Sequence, residues 1–178
     1  MQPFTLINVL DIITWPNWGA AIPQSDTRRV SGNGPATMTG MEYMTAVVTG
    51  EMAPPPIAVT MRLRPVELEE GRVVFEGEPG EEHYNPIGVV HGGYAATLLD
   101  SALGCAVHTT LPAGVGYTSL GLEVKYLRPI SRDTGRVLCE GTVLHRGRRQ
   151  ATAEARLTAE ETGKLLATGT STLMIFGG

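Results

Sequence analysis

Residues 92–108, GGYAATLLDSALGCAVH, restrict the possible folds more than any other stretch of this 178-residue chain. Ala95, Leu98, Leu99, Ala102, Leu103 and Ala106 recur at i, i+3 and i+4, which predicts one long helix with a wide apolar face. Thr97, Asp100, Ser101, Gly104 and His108 recur on the opposite face. That second stripe is narrow, small and polar, without the Lys/Glu composition of a solvated face. The helix is therefore expected to be covered on most sides, with a single polar seam. After the break at Leu111-Pro112-Ala113-Gly114, four strands are expected over Tyr117–Leu127, Arg136–His145, Arg148–Ala159 and Lys164–Phe176. Ala151, Ala153, Ala155 and Leu157 alternate with Thr152, Glu154, Arg156 and Thr158, the pattern of a sheet with one buried face. One helix cannot cover both faces of such a sheet. The simplest solution is an α+β chain in which a curved antiparallel sheet wraps around the helix and oligomerisation closes the remaining edges or faces.

Upstream, Met41, Met44, Val47 and Val48 predict a short helix over 40–51 that stops before Pro54-Pro55-Pro56. Residues 57–68 read as a second short helix running into a strand, and 71–75 as another strand. A loop over 78–90 contains His83-Tyr84-Asn85-Pro86 and leads to His91-Gly92-Gly93. Residues 1–35 show no sustained period and hold both tryptophans, Trp15 and Trp18, among breakers at Pro16, Pro23 and Pro35. They are expected to be an irregular extension that docks through those tryptophans, with 36–178 forming the domain proper.

The formal net charge of −4 argues against a general nucleic-acid binder. Seven acids against Arg72 fall between Glu67 and Glu82, and six arginines against Asp133 and Glu140 between Arg128 and Arg149. A local basic patch on an acidic chain suits a small anionic ligand. No apolar run approaches the roughly 20 residues of a bilayer span. The first residues lack a basic segment and carry Asp11 within the apolar stretch, so neither a signal peptide nor a membrane partner is expected. Cys105 and Cys139 make no disulfide framework and no zinc set, and a reducing, cytoplasmic setting fits them.

Asp100 is the only charged side chain between Gly92 and Val107. A carboxylate on a mostly covered helix is costly unless it is paired or put to use. It is either a functional acid or a structural partner of Thr97, Ser101 or a second chain. His91-Gly92-Gly93 opens the same helix, where free N–H groups and the positive dipole end could hold a developing oxyanion. The same glycines could serve tight packing alone. Asn85 could polarise a carbonyl or simply start a turn with Pro86. Arg146-Gly147-Arg148-Arg149 could clamp phosphates or form a solvated hairpin. No GxSxG elbow, Walker A loop, Rossmann fingerprint or HExxH occurs.

Together, Asn85-Pro86-x-Gly88-x-x-His91-Gly92-Gly93 and Asp100 resemble the hot-dog-fold thioesterases of the PaaI (phenylacetate-degradation) type. The resemblance continues through Gly116-Tyr117-Thr118-Ser119, Tyr126-Leu127-Arg128-Pro129 and His145-Arg146-Gly147-Arg148, over roughly residues 40–176. It implies the hot-dog fold and hydrolysis of acyl-CoA to free acid and CoA, with no metal or other cofactor. It also implies dimers with shared sites and homotetramers. Asp100 would be general base or nucleophile, and Gly92 N–H would hold the thioester oxygen with help from Asn85. His91 would orient the loop or the carbonyl, and Ser119 would position the water, with Thr118 as its neighbour. Asp100 of one chain would face His91-Gly92 of another, while Arg128, Arg146, Arg148 and Arg149 would contact CoA phosphates. The rival readings are a hot-dog hydratase acting on acyl-CoA or acyl-carrier protein, and a non-catalytic acyl-CoA-binding module.

Overall fold

The computed structural model describes residues 7–8 and 37–177. Trp15 and Trp18, and with them the expected docking of the extension, lie outside the described residues. Thr39 opens the first helix, α1 (Gly40–Val48), with a reciprocal cap. Its hydroxyl accepts from Glu42 N at 3.2 Å, and Glu42 Oε2 accepts from Thr39 N at 2.8 Å. The three prolines separate α1 from α2 (Pro56–Thr60), which starts on a proline whose missing N–H costs nothing in the first turn.

Seven strands make one antiparallel sheet: β1 (Ile7–Asn8), β2 (Leu63–Glu69), β3 (Arg72–Gly77), β4 (Gly116–Tyr126), β5 (Val137–Arg146), β6 (Gln150–Ala159) and β7 (Leu165–Phe176). Their spatial order is β1-β2-β3-β5-β6-β7-β4. The four long strands begin and end within two residues of the ranges expected from alternation. The two-residue β1 falls in a stretch read as irregular; it pairs Ile7 with Leu68 and Asn8 with Glu67 on the open edge of β2. Two residues are too few to show a period.

Register shifts at Pro65/Glu67, Ser119/Gly121 and Val143/His145 bend the strands, and the sheet curls around α3 (Gly92–His108). The apolar face of α3 fills the hollow: Leu98, Leu99, Ala102, Leu103 and Ala106 are fully buried. Small residues on the sheet let the helix sit close. A Cβ at Gly141 would lie 2.4 Å from the Ala102 carbonyl oxygen, and one at Gly77 would lie 2.8 Å from a Leu98 methyl. At the other end, α1 is latched to the end of α3, with Gly40 N donating to Leu111 O at 2.9 Å and Gly40 lying against the His108 carbonyl.

The acidic run of β2 and β3 is neutralised within the sheet. Arg72 reaches Glu67, Glu69 and Glu140 at 2.8–3.0 Å, and buried Glu76 is held by Arg64 at 2.9 Å and Arg136 at 3.4 Å. Arg132 pairs with Glu81. Two of the six arginines of the basic stretch are thus consumed structurally. Strand β4 ends the sheet, and most of its side chains are exposed.

The Gly141 contact yields a stability test. Gly141→Ala forces the helix off the sheet or the strand out of register, at a cost of about 1–3 kcal/mol. Urea unfolding followed by circular dichroism should show a lower midpoint; an unchanged midpoint would mean that α3 is not seated on this glycine.

Candidate active site

The loop before α3 is fixed by short polar contacts. Asn85 Oδ1 accepts from Ile87 N at 3.1 Å and Val89 N at 3.3 Å, and Gly88 takes a left-handed φ of 81° to close the turn. The Asn85 side-chain oxygen is therefore spent on the turn, leaving its amide NH2 as the end able to donate. His83 lies beneath the loop, accepting from Gly80 N on Nδ1 at 2.9 Å, while its carbonyl receives His91 N at 2.8 Å. His91 caps α3: its Nδ1 accepts from Gly93 N at 2.8 Å, which leaves the proton on Nε2 in the neutral ring. The Gly92 N–H has no acceptor among the described residues, as the first turn of a helix requires. Tyr126 donates its hydroxyl to Gly92 O at 3.1 Å, and its ring lies 3.1 Å from where a Cβ at Gly92 would be. A side chain there would press on the Tyr126 ring, which would have to shift by a few tenths of an ångström.

Asp100 lies eight residues further along α3, about 12 Å at the helical rise. Its Oδ1 accepts from Ser119 Oγ at 2.9 Å, and Oδ2 has no donor among the described residues. The structure thus joins two residues that are 19 apart in sequence. Asp100 is exposed, however, and the expected cover over the polar seam is absent at this point in the single chain. Ser101 is half-buried, and Gly104 and His108 are buried. Thr118 is not at the site. Tyr117 and Ser119 face α3, so Thr118, between them, faces the other side of β4, opposite Met174.

Two cavities flank α3. One, of about 340 Å³, is lined by His91, Gly92, Tyr126 and Arg128. The other, of about 280 Å³, has Asp100 and Ser119 among its lining residues and is otherwise mostly apolar. Within one chain the amide donors and the carboxylate therefore open into different cavities. The arginines divide in the same way. Arg128 borders the first cavity and donates to Leu165 O at 2.6 Å. Arg146, Arg148 and Arg149 are exposed on the β5–β6 turn with no ion pair among the described residues. That turn abuts the Thr118 end of the sheet through Gln150 and Met174, some eight strand residues, or roughly 26 Å, from Tyr126. One chain does not bring the four arginines together.

Tyr126 and the walls contributed by α1 and α2 were missed in the sequence. Tyr126 belongs to a strand whose alternation points it at Gly92, but nothing local shows that. Cys105 lines the Asp100 cavity; desolvation, with a smaller contribution from the Asp100 charge, pushes its thiol up to about 12. Tyr117, against Gly104 and His108, is likewise raised by burial. Among the described residues no cluster of His, Cys, Asp or Glu could hold a metal ion.

A model of the thioesterase superfamily matches residues 87–166. Human acyl-coenzyme A thioesterase 13 is 35% identical over 107 residues, which cover 60% of this chain and 75% of that one. The chain belongs to the thioesterase superfamily. Its sheet and helix form the hot-dog fold. A mutant of the phenylacetic acid degradation protein PaaI from Thermus thermophilus superposes with a TM-score of 0.61 at 30% identity, over 67% of this chain and 98% of that one. A Streptococcus mutans protein solved with acetyl-CoA bound superposes at 0.59 and 27% identity, covering 65% and 89%. The residues matched by the family model, 87–166, include Gly92, Asp100 and Ser119.

Desolvation of the Cys105 thiol disfavours its thiolate, the nucleophilic form. Relative to an ordinary cysteine its thiolate fraction is lower by roughly a thousandfold. Cys139, wholly buried, is raised further. A disulfide reagent at pH 8 should therefore titrate almost no thiol in the native protein and two after denaturation. Rapid modification of one thiol in the folded state would contradict the desolvation of half-buried Cys105.

Proposed function

We propose that this chain hydrolyses acyl-CoA thioesters to free acid and CoA at a site that two copies complete. The observation that carries this is the separation along α3: Asp100, oriented by Ser119, lies about 12 Å from the free amide of Gly92 and opens into a different cavity. β4 offers an unpaired edge with Leu120 and Leu122 exposed. Pairing two such edges antiparallel about a two-fold axis places the Thr118 end of one copy at the Tyr126 end of the other. Asp100 of one copy then approaches His91-Gly92 of its mate. The Arg146-Arg148-Arg149 turn comes alongside the mate's Arg128, where the CoA phosphates would be held. Met174 and Phe176, exposed on the outer face of β7, support a further pairing of dimers into a tetramer.

In the completed site a water is held between Asp100 and Ser119. As it attacks the thioester carbon, its proton passes to Asp100 Oδ2. Charge gathers on the carbonyl oxygen, where the Gly92 N–H and the Asn85 amide donate. Collapse of the tetrahedral adduct breaks the C–S bond and expels CoA thiolate, a good leaving group that takes up a proton. His91 holds the first turn in shape through Gly93. Both cysteines are free, which supports a reducing, cytoplasmic setting, and no helix among the described residues is long and apolar enough to cross a membrane.

Release of free thiol from a panel of acyl-CoAs tests the reaction. Asp100→Asn should lower kcat by at least about 100-fold, the low end for losing a general base. Ser119→Ala, which removes a hydrogen bond to a charged group, should lower it by roughly 10- to 100-fold. Turnover near wild type in Asp100→Asn would remove the carboxylate from the mechanism.

Mixing two inactive variants tests the shared site. Asp100→Asn and Gly92→Pro chains, the second lacking the amide donor at a first-turn position that accepts proline, unfolded and refolded together, should recover about a quarter of wild-type activity, because half the dimers are mixed and each holds one intact site. No recovery from a mixture shown to be dimeric would place each site within one chain.

A further inference from the structure

The polar seam of α3 has a use that hydrolysis alone does not require. Gly104 and His108 follow Asp100 at one-turn intervals and, with the adjacent Ser101, form one wall of the 280 Å³ cavity. The facing wall is apolar and comes from outside the family-matched residues 87–166. It consists of Met44 and Val47 on α1, Ala58 on α2, and Leu63 and Phe75 on the strands behind them. Met44, Val47 and Ala58 are all at least 95% buried. Gly104 lets the Tyr117 ring pack directly on the helix, since a Cβ there would stand 2.9 Å from that ring.

We infer that this cavity holds the acyl tail of the substrate, and that Met44 and Ala58 set its length, selecting saturated acyl groups of about four to ten carbons. The inference rests on the hydrolase reading, because it takes Asp100 as the place where the thioester carbon sits. From there the apolar wall of the same cavity runs opposite the seam toward His108 and beneath α1. A liquid water occupies about 30 Å³, so the cavity takes roughly nine atoms of that size. A chain of sixteen carbons exceeds it and must leave several methylenes in water. Each methylene gained or refused by an apolar pocket changes kcat/KM by about 10-fold or more.

The test compares kcat/KM for butyryl-, octanoyl-, lauroyl- and palmitoyl-CoA in the full-length protein. Wild type should favour octanoyl over palmitoyl by at least about 10-fold. Ala58→Leu fills the cavity and should lower the octanoyl-to-butyryl ratio by at least about 10-fold; Met44→Ala enlarges it and should raise the lauroyl-to-octanoyl ratio by a similar factor. Opposite shifts from two variants do not arise from a general loss of folding. Palmitoyl-CoA turned over as well as octanoyl-CoA by wild type, or ratios unmoved in both variants, would overturn the inference while leaving the hydrolase reading intact. If wild type releases thiol from none of the esters, the hydrolase reading fails. Calorimetric binding of the same four esters to Asp100→Asn then decides the pocket separately: tighter binding of octanoyl- than of butyryl- and palmitoyl-CoA supports it, and affinity independent of length removes it.

Discussion

The rest of the structure depends on how closely α3 sits in the curl of the sheet. The helix presents alanines and leucines, and the strands meet it with glycines at 77, 141 and 169. At Gly141 the two backbones approach to where even a methyl group would collide, and at Gly77 and Gly169 helix side chains close on the strand. Burial of the Leu98, Leu99, Ala102, Leu103 and Ala106 surface stabilises this seating, at about 25 cal/mol for each Å² of apolar area removed from water. Everything functional is positioned by that contact. The start of α3 fixes where the Gly92 amide points, and its rotation about its own axis fixes which side chains face β4. Because Leu99 and Leu103 are held in the core, Asp100 and Gly104 must face the side where Ser119 and Tyr117 wait.

Much of this was legible in the chain. The extent of α3 follows from its apolar period and its opening glycines, and the strands follow from alternation. Asp100 and Gly92 stood out because one is a lone charge on an apolar helix and the other a glycine at a helix start. The bulges were not legible, since a register shift between strands is decided by the curvature needed to enclose α3. The choice between Thr118 and Ser119 was open to simple reasoning: once Tyr117 is taken as facing the helix, a period of two sends Ser119 inward and Thr118 outward. The expected cover over Asp100 failed for a different reason. A sequence shows which residues want burial but not whether the burying surface belongs to the same chain.

The charge pattern shows the same limit. Six arginines close in sequence suggested one basic patch, but sequence proximity along hairpins spreads residues over both ends of a sheet. Arg132 and Arg136 answer acids at 76, 81 and 160, and Arg128 is separated from the β5–β6 turn by the length of β4. What remains is a basic group at each end of one strand. In a two-fold pairing along that strand, the two groups of different chains become neighbours, as do the separated carboxylate and amide.

This complementarity explains why so small a chain can do such chemistry. A single hot-dog layer has one helix, and one helix has one N-terminus; a carboxylate on its flank cannot also sit opposite that N-terminus across a substrate carbonyl. In the proposed pairing, two copies would supply the missing half to each other without any added element. The flank of α3 beyond Asp100 is then released from catalysis and can be shaped for the acyl group. α1 and α2, whose Met44 and Ala58 are buried at the edge of that flank, are the parts through which the proposed acyl pocket would vary with the substrate.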